Sequence, residues 1–291
     1  MALALGLMTS SCDEINGPYK EITPGPAPID TTGNDTTGTD TTQIIRKVLL
    51  EEFTGHKCGN CPAGAETAEQ LKGFYGDKLI VLSIHAGYFA TVTPHQLGYY
   101  QYEFRTPAGN EIAGEYNIDA LGTPNGLVNR TSHQVLGITA WGAKIDSLAS
   151  LPAEAKIKIN PTVNAATRLL QVEVKTTFTQ NTTAPKNLTL FLTESGKISQ
   201  QKDYRQVGNE DILNYSHDHF LRTSLTPTWG EPLTTQPVAA GTEITKQYTY
   251  VIPAEYNMAK CRLVAIVNNP VMQGTNNSYE IIQAEESEYL Q

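Results

Sequence analysis

Apolar positions along this chain change their period as it proceeds. Val48-Leu49-Leu50-Glu51-Glu52-Phe53 is mostly apolar and unbroken, which predicts a strand. From Cys61 the spacing becomes helical: Ala65, Ala68, Leu71 and then Phe74 or Tyr75 recur every three or four residues, Pro62 suits a first helical turn, and Gly76 closes the segment. Leu79 to Ile84 is again continuous and rich in branched residues, the pattern of a strand buried on both faces of a parallel sheet. Strand, helix and strand together predict a βαβ unit.

The stretch from Gly87 to Glu115 is rich in aromatic residues, with Leu97, Tyr100 and Phe104 on one side. It predicts a helical insertion over about 88–115, broken at Thr106-Pro107. Gly126-Leu127-Val128-Asn129 predicts another strand, Thr139 to Leu148 a closing helix, and Leu151-Pro152-Ala153 a domain boundary. After Ala155 the period becomes two. Leu170, Val172, Val174 and Phe178 alternate with Gln171, Glu173, Lys175 and Thr177, and Leu188, Leu190 and Leu192 repeat the pattern. Further strands fall at Tyr248 to Ile252, Leu263 to Val267 and Ile281 to Ala284. The expectation is α/β plus all-β: an α/β domain over 44–151 and an immunoglobulin-like β-sandwich over 155–291. Lys202 to Pro237 interrupts the alternation and reads as a long loop against the first domain, with His217-Asp218-His219 a weaker metal-binding candidate.

Before Ile44 there is little to bury. Residues 1–11, apolar from Ala2 to Met8 and then Thr9-Ser10-Ser11, resemble the end of a bacterial lipoprotein signal peptide, in which Cys12 would be acylated and become the mature N-terminus. No Lys or Arg precedes the apolar run, and Thr9 stands where Leu is usual. Residues 12–43, with repeated Thr-Thr, Gly and Pro, cannot offset their ordering entropy and predict a disordered tether. A flexible coil of this length reaches roughly 30 Å. Asp-Thr-Thr triplets beginning at Asp30, Asp35 and Asp40 resemble O-glycosylation acceptors of exported bacterial proteins. The net charge of −9 comes without a basic stripe to neutralise phosphates, which argues against nucleic-acid binding. No apolar run reaches the roughly 18 residues of a spanning helix, so a lipid on Cys12 is the expected membrane link.

Candidate chemistry lies in Cys58-Gly59-Asn60-Cys61, at the junction between the first strand and the helix. Disulfide exchange needs a thiolate, and a free thiol titrates at about 8.5, so a reactive Cys needs surroundings that favour the anion. Helix-terminal amides, Lys57 and His56 are the candidates. Cys58, at an exposed helix start, would attack a substrate disulfide, and Cys61, one turn further in, would resolve the mixed disulfide. The expected partners are exported protein substrates or a redox partner, with no cofactor beyond the dithiol itself. Two alternatives stay open. Cys58–Cys61 could be a static bridge in an envelope binding or adhesion protein, or His56, Cys58, Cys61 and His85 could hold Cu(I), which soft thiolates and imidazole suit. Cys261 shares a face with Leu263, Ala265 and Val267 and reads as a buried structural thiol.

Such a C-x-x-C, followed by a segment from Glu115 that ends in Gly122-Thr123-Pro124, resembles the thioredoxin fold over roughly Val48 to Ser150. The resemblance implies a cis Thr123-Pro124 bond opposite the Cys pair, and Thr123 and Lys57 on the substrate side. It also implies that Glu52, six residues before Cys58, is a buried acid that moves a proton at the inner Cys. Lys57 stands where an aromatic residue is usual, and the inner dipeptide is Gly-Asn. The whole layout resembles the lipoproteins related to the twenty-eight-kilodalton outer-membrane protein. That likeness implies a lipid-anchored protein of the outer membrane, on its periplasmic or surface side.

Overall fold

Strands β1 (Val48–Thr54) and β2 (Leu79–His85) run parallel, Val48 opposite Leu79 through Thr54 opposite His85, and helix α1 (Cys61–Tyr75) connects them. The expected βαβ unit is therefore present. The structure is a computed structural model that describes residues 44–93, 99–272, 274 and 276–291. The expected signal peptide, Cys12 and the tether lie outside the described residues, as does Leu97. Helices α2 (Pro107–Glu115) and α3 (Ile118–Leu121) lead into β3 (Asn125–Val128), which pairs antiparallel with β1. A short β4 (Leu136–Gly137) extends β3, and α4 (Ile138–Ala149) follows.

The remaining strands are β5 (Ala155–Asn164), β6 (Leu169–Phe178), β7 (Asn187–Glu194), β8 (Lys197–Lys202), β9 (Asp211–His217), β10 (Phe220–Ser224), β11 (Glu231–Pro232), β12 (Glu243–Val251), β13 (Cys261–Asn268) and β14 (Ile281–Glu286). They do not form a sheet system of their own. One nine-stranded sheet runs β14-β13-β7-β10-β2-β1-β3-β4 with β11 on β7, a second sheet is β12-β6-β5, and β8 and β9 form a hairpin. The fold is mixed α/β joined to a β-rich half. The boundary expected near 151 coincides with the α4–β5 connection, but the large sheet crosses it. Phe220 pairs in parallel with Ser83, whose N–H donates to the His219 carbonyl at 2.9 Å. From Gln43 onward the chain forms one unit.

Burial explains why the halves merge. β7 was expected to alternate, yet every residue after its first is buried. Leu188, Leu190 and Leu192 pack under the three-stranded sheet against Leu170, Val172 and Val174. On the other face Phe191 joins Leu49, Phe53 and Ile84 beneath α2. Each such side chain contributes about 1.5–3 kcal/mol relative to exposure. The three-stranded sheet and the α/β half therefore share one layer.

Three local expectations are corrected. Thr106-Pro107 starts a helix instead of breaking one: the Thr106 hydroxyl accepts from the Gly109 N–H at 2.9 Å, and Pro107 occupies the first turn, where its missing N–H costs nothing. Tyr100 and Phe104 are buried but lie outside any helix. The supposed loop from Lys202 to Pro237 holds β9, β10 and β11, and it does pack against the first half.

Glu51 and Arg130 make a fully buried pair, with Nε at 2.8 Å from Oε2 and Nη2 at 2.5 Å from Oε1. The guanidinium also lies 5.2 Å from the Trp229 ring, which stacks on Tyr279 at 4.0 Å. Removing one partner leaves a buried, unpaired charge. Glu51→Ala is accordingly expected to lose about 3–5 kcal/mol, read as a lower urea midpoint with an unchanged slope.

Candidate functional site

The loop after β1 is built by close approaches. A Cβ on Gly55 would lie 2.5 Å from the Phe89 backbone, so only glycine fits. The Cys58 N–H donates to the Gly55 carbonyl at 2.9 Å and the Cys61 N–H to that of Cys58 at 3.2 Å, a tight turn into α1. Cys58 and Cys61 form a disulfide, their Cα atoms 5.4 Å apart. The Thr123-Pro124 bond is cis, and the Thr123 carbonyl oxygen lies 3.6 Å from Cys58 Sγ. In the closed disulfide that sulfur has no proton, so this is a contact; a reduced thiol would donate there. At Gly64 a Cβ would fall 2.8 Å from the Pro124 ring and 3.1 Å from Glu52 Oε1, so a glycine on α1 lets the prolyl loop and the acid close together.

The expected exposure of Cys58 is not found. Cys58 is 3% exposed and Cys61 1%. Their cover comes from the other half of the chain. The Gln201 side-chain amide donates to the carbonyls of Gly55 and Cys58 at 3.2 and 3.0 Å, the Lys202 N–H to that of His56 at 2.8 Å, and the Tyr204 N–H to that of Gly59 at 2.9 Å. The Tyr204 ring lies directly over Gly59. Arg205 then reaches α1, with Nη1 and Nη2 2.7 and 2.9 Å from the Glu66 carboxylate, while Asp203 holds its other edge. No pattern in the sequence marks these residues as belonging to the site.

His56 is not the expected cation. It is buried with Nε2 3.0 Å from the Thr91 carbonyl, which requires a proton there, and burial lowers its pKa, so the ring is neutral. Lys57 Nζ donates to Thr91 Oγ1 at 2.5 Å and sits 5.1 Å from the Tyr88 ring. His85 lines the cavity behind the disulfide and is bonded to His217. With both sulfurs in a disulfide, His56, Cys58, Cys61 and His85 do not make a ligand set, and among the described residues no three or more His, Cys, Asp or Glu side chains are arranged to hold a metal. Cys261 is buried and free, and burial pushes its thiol up to about 12.

Glu52 is buried. It faces the α1 side of the sheet, opposite in direction to Glu51, because successive strand residues point to opposite faces. Ser83 Oγ donates to its Oε2 at 3.2 Å, and Oε1 has no partner. Burial pushes the carboxyl up to about 7, outweighing the Ser83 hydrogen bond and the nearby His219. Glu52 and Cys61 line one cavity of about 340 Å³.

Comparison with known proteins bears on the whole arrangement. The sequence pattern of outer membrane protein Omp28 matches residues 112–284, more than half of the chain. The chain belongs to the Omp28 family. In this Omp28-family protein the match begins within α2 and ends within β14. It takes in the cis-prolyl turn, the cover and His219, and leaves Cys58 and Cys61 outside. HBP35 of Porphyromonas gingivalis is similar in structure, with a TM-score of 0.62 at 18% identity over 84% of this chain and 76% of that one. A crystal structure of protein AGR_C_4864 from Agrobacterium tumefaciens gives 0.51 at 14% identity over 85% and 96%. At these identities the likeness is one of fold. No curated protein matches the sequence. Family membership supports an association with the cell envelope, and among the described residues no helix is long and apolar enough to cross a membrane, which does not bear on strands.

The raised pKa of Glu52 carries a sign. Between its ordinary value of 4.5 and about 7 the folded state holds a proton that the unfolded state releases, so this group's contribution to stability falls as pH rises through that window and is level above it. Glu52→Gln removes the penalty. Chemical denaturation is expected to show the variant gaining on the order of 3 kcal/mol over wild type between about pH 5 and about pH 8, at about 1.36 kcal/mol per pKa unit. A constant difference across that range would mean that Glu52 is not held protonated.

Proposed function

We propose that this Omp28-family protein is a lipid-anchored envelope thiol-disulfide oxidoreductase acting on exported proteins, built on a thioredoxin-like unit over 44–151. The observation that carries this reading is a convergence at the start of α1. The Cys58–Cys61 bond, the Thr123 carbonyl 3.6 Å from Cys58 Sγ, and a buried acid sharing a cavity with Cys61 all meet there. An incoming thiolate would bond to Cys58 Sγ as the Cys58–Cys61 bond breaks, and the electron pair would remain on Cys61 Sγ. Glu52, which retains a proton close to neutral pH, is suited to deliver it to that leaving thiolate. Thr123 and Lys57 would border the bound client, and Cys12 would carry the lipid. Residues 201–205 cover the pair at rest, so a client must displace them.

That same cover favours a second reading, a binding protein in which the bridge is a static clamp. Redox titration separates the two. The oxidoreductase reading expects a midpoint near the glutathione range, roughly −200 to −260 mV, and insulin turnover abolished by Cys58→Ser; a pair that resists reduction until below about −300 mV is a clamp. Tyr204→Ala, which strips the ring from Gly59, is expected to speed reduction by dithiothreitol about fivefold to tenfold, a change of about 1 kcal/mol in the opening step. The anchor is checked separately: membrane-extracted protein should carry a diacylglycerol adduct on Cys12, and unmodified Cys12 would remove it.

A further inference from the structure

Three histidines line the cavity behind Cys61, and they are not equivalent. His217 Nε2 faces the Gln200 carbonyl at 3.3 Å and so carries a proton; its Nδ1 then accepts from His85 Nε2 at 3.3 Å, which leaves His85 Nδ1 bare and unpartnered. Burial holds His85 well below the ordinary histidine value and His217 down to about 3, so both rings are fixed neutral dipoles, each 4.4 Å from Phe104. Neither can take a proton at neutral pH.

His219 can. Its Nε2 lies 3.0 Å from Oε1 of Glu69 on α1, a carboxylate whose side chain is 55% exposed. Burial alone would push the imidazolium down, but the hydrogen bond and charge of Glu69, with the further charges of Glu286 on β14 and of Asp218, outweigh it and raise the ring. The backbone holds His219 beside Glu52. Its N–H donates to Ser195 Oγ at 3.0 Å, its carbonyl accepts from the Ser83 N–H at 2.9 Å, and Ser83 Oγ donates to Glu52. Of the other carboxylates on the cavity wall, Glu66 is hydrogen-bonded to Arg205, and Asp218 accepts from Gly196 N–H and Ser216 Oγ. Burial raises the Tyr215 phenol to about 12. At about 30 Å³ per molecule the cavity has room for a chain of waters between Glu52 and His219.

We propose that His219, charged against Glu69, is the station through which Glu52 exchanges its proton with solvent each time the Cys58–Cys61 bond opens or closes. The inference rests on the exchange chemistry proposed above. On reduction by an external dithiol, the attacking thiolate bonds to Cys58 Sγ, the Cys58–Cys61 bond breaks, and Cys61 Sγ leaves with the electron pair and takes the Glu52 proton. The imidazolium of His219 then reprotonates Glu52 through the cavity and is itself recharged from solvent beside Glu69. The second dithiol sulfur, its proton released to solvent, then bonds to the first as the mixed disulfide breaks; Cys58 Sγ leaves with that electron pair and is protonated from solvent, and the reductant departs as a disulfide.

The test uses the full chain and two readouts. One is the pH titration of the Glu52 carboxyl stretching band, assigned by its loss in Glu52→Gln; the other is the pH–rate profile of reduction by dithiothreitol. His219→Gln is expected to raise the midpoint of the band and to slow reduction near neutral pH about tenfold, less than the roughly hundredfold loss of the acid itself. Added imidazole should restore the rate, which a merely structural role would not allow. Glu69→Gln, at a half-exposed helix position that does not threaten folding, should slow reduction similarly. A His219→Gln protein that folds and keeps the wild-type pH–rate profile overturns the relay, even with a shifted band, since loss of the neighbouring charge alone moves that band; exchange at Cys58 is left standing. Wild-type protein that dithiothreitol reduces at no pH removes the exchange reading and the relay with it.

Discussion

A strand as apolar as Leu79–Ile84 cannot be left as a sheet edge, because its unpaired amides would recruit any passing strand. Its pairing with β10 is the constraint on which the rest of the structure depends. Through that junction the β-rich half enters the same sheet as β1, β2 and β3, and its Phe191, Leu221, Val264 and Ile266 complete the core beneath α2. Ser83 sits at the crossing. Its amide donates to the His219 carbonyl just before β10, and its hydroxyl donates to the buried acid behind the disulfide. Sheet architecture and site are therefore set by the same contacts.

Glu51 and Glu52 show how strongly surroundings decide chemistry. They are adjacent, equally buried and on opposite faces of β1. On one face Arg130 supplies two hydrogen bonds to the carboxylate, tying β1 to the turn after β3. On the other no cation touches the carboxyl, a single hydroxyl donates to it, and burial favours the protonated form. A paired acid holds structure together, while an unpaired one is free to exchange a proton.

The helix from Cys61, the strands at Val48 and Leu79, and the alternating strands beyond Ala155 were legible because period and punctuation are local properties. So were the Cys pair and the Thr-Pro opposite it. What could not be read was long-range: that β7 is buried on both faces, that β10 docks on β2, and that Gln201 to Arg205 lie over the disulfide. Tyr204, Lys202 and Gln201 reach the site mainly through backbone and amide hydrogen bonds, which leave no hydrophobic signature. His219 was noticed only as part of a His-Asp-His run, since nothing local records Glu69 on a helix far earlier in the chain. Two acids inside an apolar strand were the one visible hint of what β1 carries.

The enclosure of the sulfurs by residues 201–205 has a temporal side. A polypeptide grows from its N-terminus, so the two cysteines exist for a long interval before the segment that roofs them has been made. The bond between them is thus enclosed only once the later segment has folded over it, and whatever opens it in the finished protein must first lift that roof.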